Sequence, residues 1–275
     1  MMKTLRISCF LIGLTAHLMA QPTTFTNSVG MEFVRIQPGS MVVGRFQPPY
    51  PKAPLSDEAA KKNGVQWTQA EYQLAEKLVN QDARPGFTVR IRNPYYIGKF
   101  EVTQAQWKRV MGTNPSLFQG NRVKDDADQH PVEQVTWQDT QKFLAKLNTI
   151  DKNHHYRLPT EFEWEYAARA GADDDIPWKT IWASAQMGSP TTTSVGQKTP
   201  NAWGLYDTLG NVWEWVQEYY NGKLFADPTP TRSGIQHVLK GASFVGDVKN
   251  ATYMTHAAGP GNGWDVGFRV VMEAK

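Results

Sequence analysis

Hydrophobic and polar positions alternate through GMEFVRIQPGSMVVGRF (residues 30–46), and Pro38-Gly39 breaks the alternation midway. A period of two bounded by turn residues predicts two short strands joined at that Pro-Gly pair. The same period returns in FTVRI and YYIGKFEV, from Phe87 onward. Between them, residues 47–87 lose the β pattern. A proline-rich entry leads to WTQAEYQLAEKLVN, where Thr68 is placed to cap a helix with Tyr72, Ala75, Leu78 and Val79 on one side. This stretch reads as an insertion in one domain rather than a second domain.

Three further helices are signalled by their starts. Thr103 precedes QAQWKRVM, and Thr136 precedes WQDTQKFLAKLN with Asp139 three residues on. Thr160 precedes EFEWEYAARA, with Glu163 completing a capping box and Gly171 placed to end the helix. Beyond Gly171 turns dominate, and the short apolar runs HVLKGASFV and GFRVVM are candidate strands. The pattern predicts an irregular α+β domain with a small antiparallel sheet, few helices and many long loops. Loops of that kind need fixing, by buried aromatic area or by a bound cation.

Composition narrows the partners. The 275 residues carry a formal charge of +3 with no long basic run, so nucleic acid is not expected as a partner. Residues 1–20 read as a signal peptide: Lys3 and Arg6, then the apolar run Ile7 to Met19, then a cleavage point at Ala20-Gln21. The run is shorter than the roughly 20 residues of a membrane span. The expectation is an exported chain, periplasmic or secreted, with a single domain over residues 21–275 and no membrane span after cleavage. The sole cysteine, Cys9, lies inside the signal. A cysteine-free mature chain has no disulfide, thiolate nucleophile, iron–sulfur cluster or cysteine-held zinc or copper.

Candidate chemistry concentrates in two stretches. GLYDTLGNVWEWV (residues 204–216) offers the carboxylates of Asp207 and Glu214 and the carbonyls of Gly210 and Val212 around a glycine turn. Those are hard oxygen ligands suited to structural Ca2+; the alternative is that Asp207 caps a turn and Glu214 pairs with a basic residue. YMTHAAGPGNGWDVGFRVV gathers Tyr253, His256 and Asp265 as a candidate acid/base group, the alternative being a hydrogen-bonded histidine and a turn-forming aspartate. Trp213, Phe244 and Trp264, with Ser243, are the candidate substrate-contacting residues. Glu161, Glu163 and Glu165 fall on different helix faces, so capping and pairing with Arg157 or Arg169 suit them better than paired-carboxylate chemistry.

NSVGMEFVRIQPGSMVVG, YYIGKFEVTQAQWKRVM, HPVEQVTWQDTQKFLAKLN, RLPTEFEWEYAARAG, GLYDTLGNVWEWV, VLKGASF and GFRVV occur in an order that resembles the formylglycine-generating enzyme, or sulfatase-modifying factor, family. The resemblance covers nearly all of the mature chain and implies a C-type-lectin-like fold. It also implies that Asp207, Gly210, Val212 and Glu214 form a structural calcium loop. A second calcium loop of the family would fall at Ala183–Gln186, which carry no carboxylate, and is expected to be lost. The two copper-holding cysteines of the family fall on Gly246 and Ala251, so copper and its oxidase chemistry are expected to be absent. Two functions remain open: a family member acting on a peptide or protein of the cell envelope through other chemistry, or a pseudoenzyme, a lectin-like module that binds a protein, peptide or glycan.

Overall fold

The computed structural model describes residues 23–44, 86–172, 176, 178–224, 231, 233–246, 252–259 and 261–274, with Ala70 and Gln73 as isolated positions. Its strands are β1 (Thr24–Thr26), β2 (Glu32–Ile36), β3 (Gly39–Val43), β4 (Phe87–Ile91), β5 (Tyr95–Gly98), β6 (Tyr156–Arg157), β7 (Trp213–Tyr219), β8 (His237–Lys240), β9 (His256–Ala258), β10 (Val266–Gly267) and β11 (Val271–Glu273). The helices are α1 (Gln104–Met111), α2 (Trp137–Ile150), α3 (Glu161–Ala168) and α4 (Trp178–Ser184).

The two strands flanking Pro38-Gly39 part company. β2 joins a five-stranded sheet of order β1-β2-β5-β11-β6, whereas β3 pairs only with β4. Gly39 lets the start of β3 pass against Tyr166, because a Cβ there would sit 2.0 Å from the Tyr166 hydroxyl. Val43 is opposite Phe87 in the β3–β4 ladder, so the chain leaves and returns at one point, as an insertion requires. Phe87 itself is strand, so the stretch expected to lack β pattern, residues 47–87, overlaps β4 at its last residue. Ala70 and Gln73, within the helix expected after Thr68, are helical; the rest of that expectation lies outside the described residues.

All three predicted helix starts form, and each is a full capping box, not only the one expected at Thr160. The side chains of Thr103, Thr136 and Thr160 accept from the amides of Gln106, Asp139 and Glu163, whose side chains reach back to the cap amides. Gly171 takes φ +72° just past α3, where a Cβ would meet the Trp203 ring at 2.8 Å. β7 and α4 were not legible as regular elements. β7 hides its period because Glu214 stands at a buried position between Trp213 and Trp215. It is nevertheless an inner strand of the second sheet, of order β10-β7-β8-β9.

The main core lies between the five-stranded sheet and the helices α1 and α2, where Trp107 stacks on Phe143 at 5.2 Å and both meet Phe268 edge-on. Trp215 belongs to it, with its indole N–H donating to the Val135 carbonyl. A smaller core under the second sheet holds Trp164, Val216, Val238 and Tyr253. Among the described residues no helix is long and apolar enough to cross a membrane.

Candidate functional site

The loop before β7 is built from backbone conformations that only special residues adopt cheaply. Asp207, Gly210 and Asn211 all have positive φ, at 53°, 92° and 55°. Gly210 is obligatory, because a Cβ would lie 2.1 Å from the Gln186 carbonyl oxygen. The amide of Gly210 donates to the Gly241 carbonyl and that of Phe244 to the Asn211 carbonyl, which locks this loop to the turn after β8.

Three carboxylates are buried around the loop: Glu101, Asp207 and Glu214. Glu214 is bound by Arg269 in a two-pronged pair, Nε to Oε2 and Nη2 to Oε1, both at 2.6 Å, and Oε2 also accepts from the Trp164 indole at 2.6 Å. Glu101 accepts from the Asn211 side chain and the Val212 amide at 2.8 and 3.1 Å. Asp207 Oδ2 accepts from the Gly196 amide, and its Oδ1 is buried with no hydrogen-bond partner among the described residues. Burial, then Asp207 and Glu214, push the Glu101 carboxyl well above its ordinary range. Burial pushes Asp207 up to about 6. Three acids face one guanidinium, so the cluster lacks positive charge if all ionise.

That shortage bears on calcium. Asp207 Oδ1 is a free hard oxygen, and the Gly210 turn brings the backbone close, both of which fit a calcium ligand set of Asp207, Gly210, Val212 and Glu214. Glu214 is shared, since Arg269 already claims both of its oxygens. Among the described residues no three acidic or histidine side chains converge as a metal site, so backbone carbonyls would supply most of the shell. Ser184 of the second loop donates to the Thr180 and Ile181 carbonyls, an intrahelical role.

The structure does not bring Tyr253, His256 and Asp265 together. Gly267, Glu214, Lys240 and His256 face one another in a row across β10, β7, β8 and β9. His256 and the β10 edge, next to Asp265, are therefore three strand spacings apart, about 14 Å. His256 instead pairs with Glu161 at 3.2 Å, within a buried network in which Lys240 meets Glu165 at 3.1 Å and Glu161 at 3.8 Å, and Arg169 meets Glu165 at 3.2 Å. Tyr253 is buried in the smaller core, where loss of solvent raises its phenol to about 12. The third acid of the α3 triplet, Glu163, holds Arg157 in a two-pronged pair.

Glu218, on β7, accepts from the Glu161 amide at 2.8 Å, and burial and the Glu161 charge raise its carboxyl to about 7. A raised carboxyl contributes stability that is complete below its unfolded value near 4.5 and is lost as pH climbs through 7. Glu218→Gln keeps an acceptor for that amide and removes the titration. The variant is expected to gain on the parent chain by roughly 1–2 kcal/mol between pH 5 and pH 8, read from urea unfolding at both values. An unchanged difference at the two values would show that Glu218 ionises normally.

Asp265 belongs to a different assembly, at the β10 edge. Its Oδ2 accepts from the Ser243 hydroxyl at 2.8 Å, and its carbonyl accepts from the Trp213 amide. Next to it Trp264 is 45% exposed and rests on two rings, Phe118 at 6.2 Å and Phe244 at 5.4 Å between centroids. Phe244 is itself buried, so it backs the exposed indole and is not a contact surface, a correction to its expected role. Trp213 is partly buried against the main core. Val245, the residue after Phe244, is 55% exposed, while Ser243 is buried. Gly246, at one family copper position, donates to the Ser243 carbonyl; Ala251, at the other, lies outside the described residues.

Sequence reasoning passed over Glu101, Phe118 and Glu133. The signal for both acids is a lone carboxylate inside an apolar run, Glu101 in FEV and Glu133 in PVEQV. Glu133 has no exposed surface; its Oε1 accepts from the Phe118 amide at 2.9 Å and its Oε2 has no partner among the described residues. Burial raises it to about 7, with Asp265 adding a smaller push.

Comparison with known proteins agrees with this architecture. The model of the sulfatase-modifying factor enzyme 1-like domain matches residues 20–274. Chaperone protein LppX of Paenibacillus barcinonensis is 31% identical over 235 residues, 64% of this chain and 79% of that protein. The formylglycine-generating enzyme of Streptomyces coelicolor is 31% identical over 176 residues, 55% of this chain, which spans about half (51%) of the enzyme's length. Treponema denticola variable protein 1 superposes with a TM-score of 0.66 at 25% identity, covering 92% of this chain and all (100%) of that one. The arrangement of small sheets, short helices and long loops is thus the C-type-lectin-like fold of the formylglycine-generating enzymes, and the chain belongs to the family of the sulfatase-modifying factor enzyme 1-like domain.

Proposed function

We propose that this protein is a binding member of its family, exported to the cell envelope, which holds a peptide or protein at the face formed by Trp264 and Asp265, with the buried Ser243 hydroxyl fixing Asp265 from behind. The observation that carries the reading is the exposed Trp264 indole backed by Phe118 and Phe244 beside the Ser243–Asp265 hydrogen bond. A rigidly backed indole with polar groups at its edge is a recognition surface in many complexes. Two observations favour binding over chemistry. The copper-holding cysteines of the family have no counterpart in a chain whose one cysteine is Cys9. His256 and Tyr253 are engaged elsewhere, away from Asp265. That a similar protein bears the name chaperone is in keeping with a binding role.

The test immobilises residues 21–275 and exposes them to the exported fraction of the producing cell, weighing bound species before and after incubation. Retention at unchanged mass, lost in Trp264→Ala, is the expected result. A captured species whose mass changes with time would make the protein an enzyme and overturn the binding reading.

Structural calcium at Asp207, Gly210, Val212 and Glu214 is part of the same proposal, supported by the free Asp207 oxygen and the surplus of buried acid. Calcium added to chelator-treated protein is expected to raise the melting temperature; at a hundredfold excess over Kd the gain is about 2.7 kcal/mol. Asp207→Ala is expected to remove the response. No shift in the parent chain would leave Asp207 as a turn residue and Glu214 as the partner of Arg269 alone.

A further inference from the structure

The Trp264 face has an acidic floor that a neutral apolar ligand does not explain. Asp265 is half-buried beside the exposed indole, with one oxygen occupied by Ser243. Glu133 lies one layer below. Its Oε1 is held by the Phe118 amide, and the Phe118 ring contacts both Phe244 and Trp264. The next residue, Gln134, takes φ +63° and donates its amide to the Gly263 carbonyl, which ties the Glu133 segment to the loop that carries Trp264 and Asp265. Non-glycine residues adopt that conformation at a cost, so the fold spends strain to hold Glu133 in place.

Glu133 Oε2 is buried with no hydrogen-bond partner among the described residues. A buried acceptor without a donor is costly, and a second carboxylate nearby adds to the cost. Both penalties fall when a positive charge arrives. An exposed indole next to carboxylates is also the pairing that recognises organic cations, through the ring's negative face and the acid together.

We propose that this face selects ligands bearing an ammonium or guanidinium group, seated on the Trp264 ring with its charge against Asp265 and with Glu133 supplying further negative charge from below. The inference rests on the proposed binding role of this face and adds the ligand's chemical class. The exposed indole supplies a cation–π face and no oxygen, which suits the lysine or arginine side chain of a bound polypeptide better than a metal ion.

The experiment uses two degenerate hexapeptide pools, identical except for lysine or acetyl-lysine at one fixed position, passed over the immobilised mature chain. The lysine pool is expected to be retained at least tenfold more strongly. Asp265→Asn is expected to abolish that preference, and Glu133→Gln to reduce it while leaving the melting profile cooperative. Equal retention of the two pools, sensitive to Trp264→Ala, would overturn the cation inference and leave the binding face standing. A preference for lysine that survives Asp265→Asn would overturn it as well, because the charge would then be read elsewhere. Retention of neither pool would count against the cation inference and the binding face together.

Discussion

Methionine in place of Arg269 is expected to destabilise the protein by about 3–5 kcal/mol. Arg269 has no exposed surface and ties the cluster in four directions: two bonds to Glu214, one to the Gly98 carbonyl and one to the Tyr206 carbonyl. Removing it leaves Glu214 beside Glu101 and Asp207 with no buried cation to offset them. Methionine matches much of the volume, so the loss reads charge and hydrogen bonding and not a cavity. Urea unfolding checks the prediction, and saturating calcium is expected to recover part of the loss. A variant within 1 kcal/mol of the parent chain would mean that the acids are protonated in the folded state and need no counter-charge.

Lys240→Met is expected to cost a similar amount, about 3–5 kcal/mol. The ammonium is fully buried between Glu165 and Glu161 and lies 5.7 Å from the centre of the Trp164 ring. These acids come from α3 and the lysine from β8, so the network fastens the helix to the second sheet. The double change Lys240→Met/Glu165→Gln is expected to recover much of the loss, because breaking a buried pair from one side is worse than removing both charges. If the double variant is as unstable as the sum of the singles, the two groups do not interact.

Local features were legible in the sequence and long-range partners were not. Thr103, Thr136 and Thr160 could be read as caps because each partner lies three residues away. Glu214 stood out in the sequence as a candidate ligand, yet its engagement by Arg269 spans 55 residues of sequence and no periodicity encodes it. The separation of His256 from Asp265 was hidden for the opposite reason. Only eight residues lie between them in sequence, but two strands, β7 and β8, come between β9 and β10 in the sheet. Trp264 stood out in the sequence as a candidate contact residue; Phe118, which supports its ring from far upstream, did not, because nothing in SLFQG marks a ring that packs across the fold.

The paired strands β3 and β4 carry one more implication, for how such a domain changes over evolutionary time. Gly44 and Gly86 flank residues 45–85 at φ +85° and +80°, directly beyond the Val43–Phe87 pair. Two successive residues with positive φ are what a type I′ hairpin demands, and Gly-Gly is among its preferred sequences. If everything between them were removed, Val43-Gly44-Gly86-Phe87 would close the hairpin with no change to the ladder on either side. The host domain thus carries a seam at which a segment can be gained, lost or exchanged, so diversification there need not disturb the acids and rings that the rest of the chain holds in register.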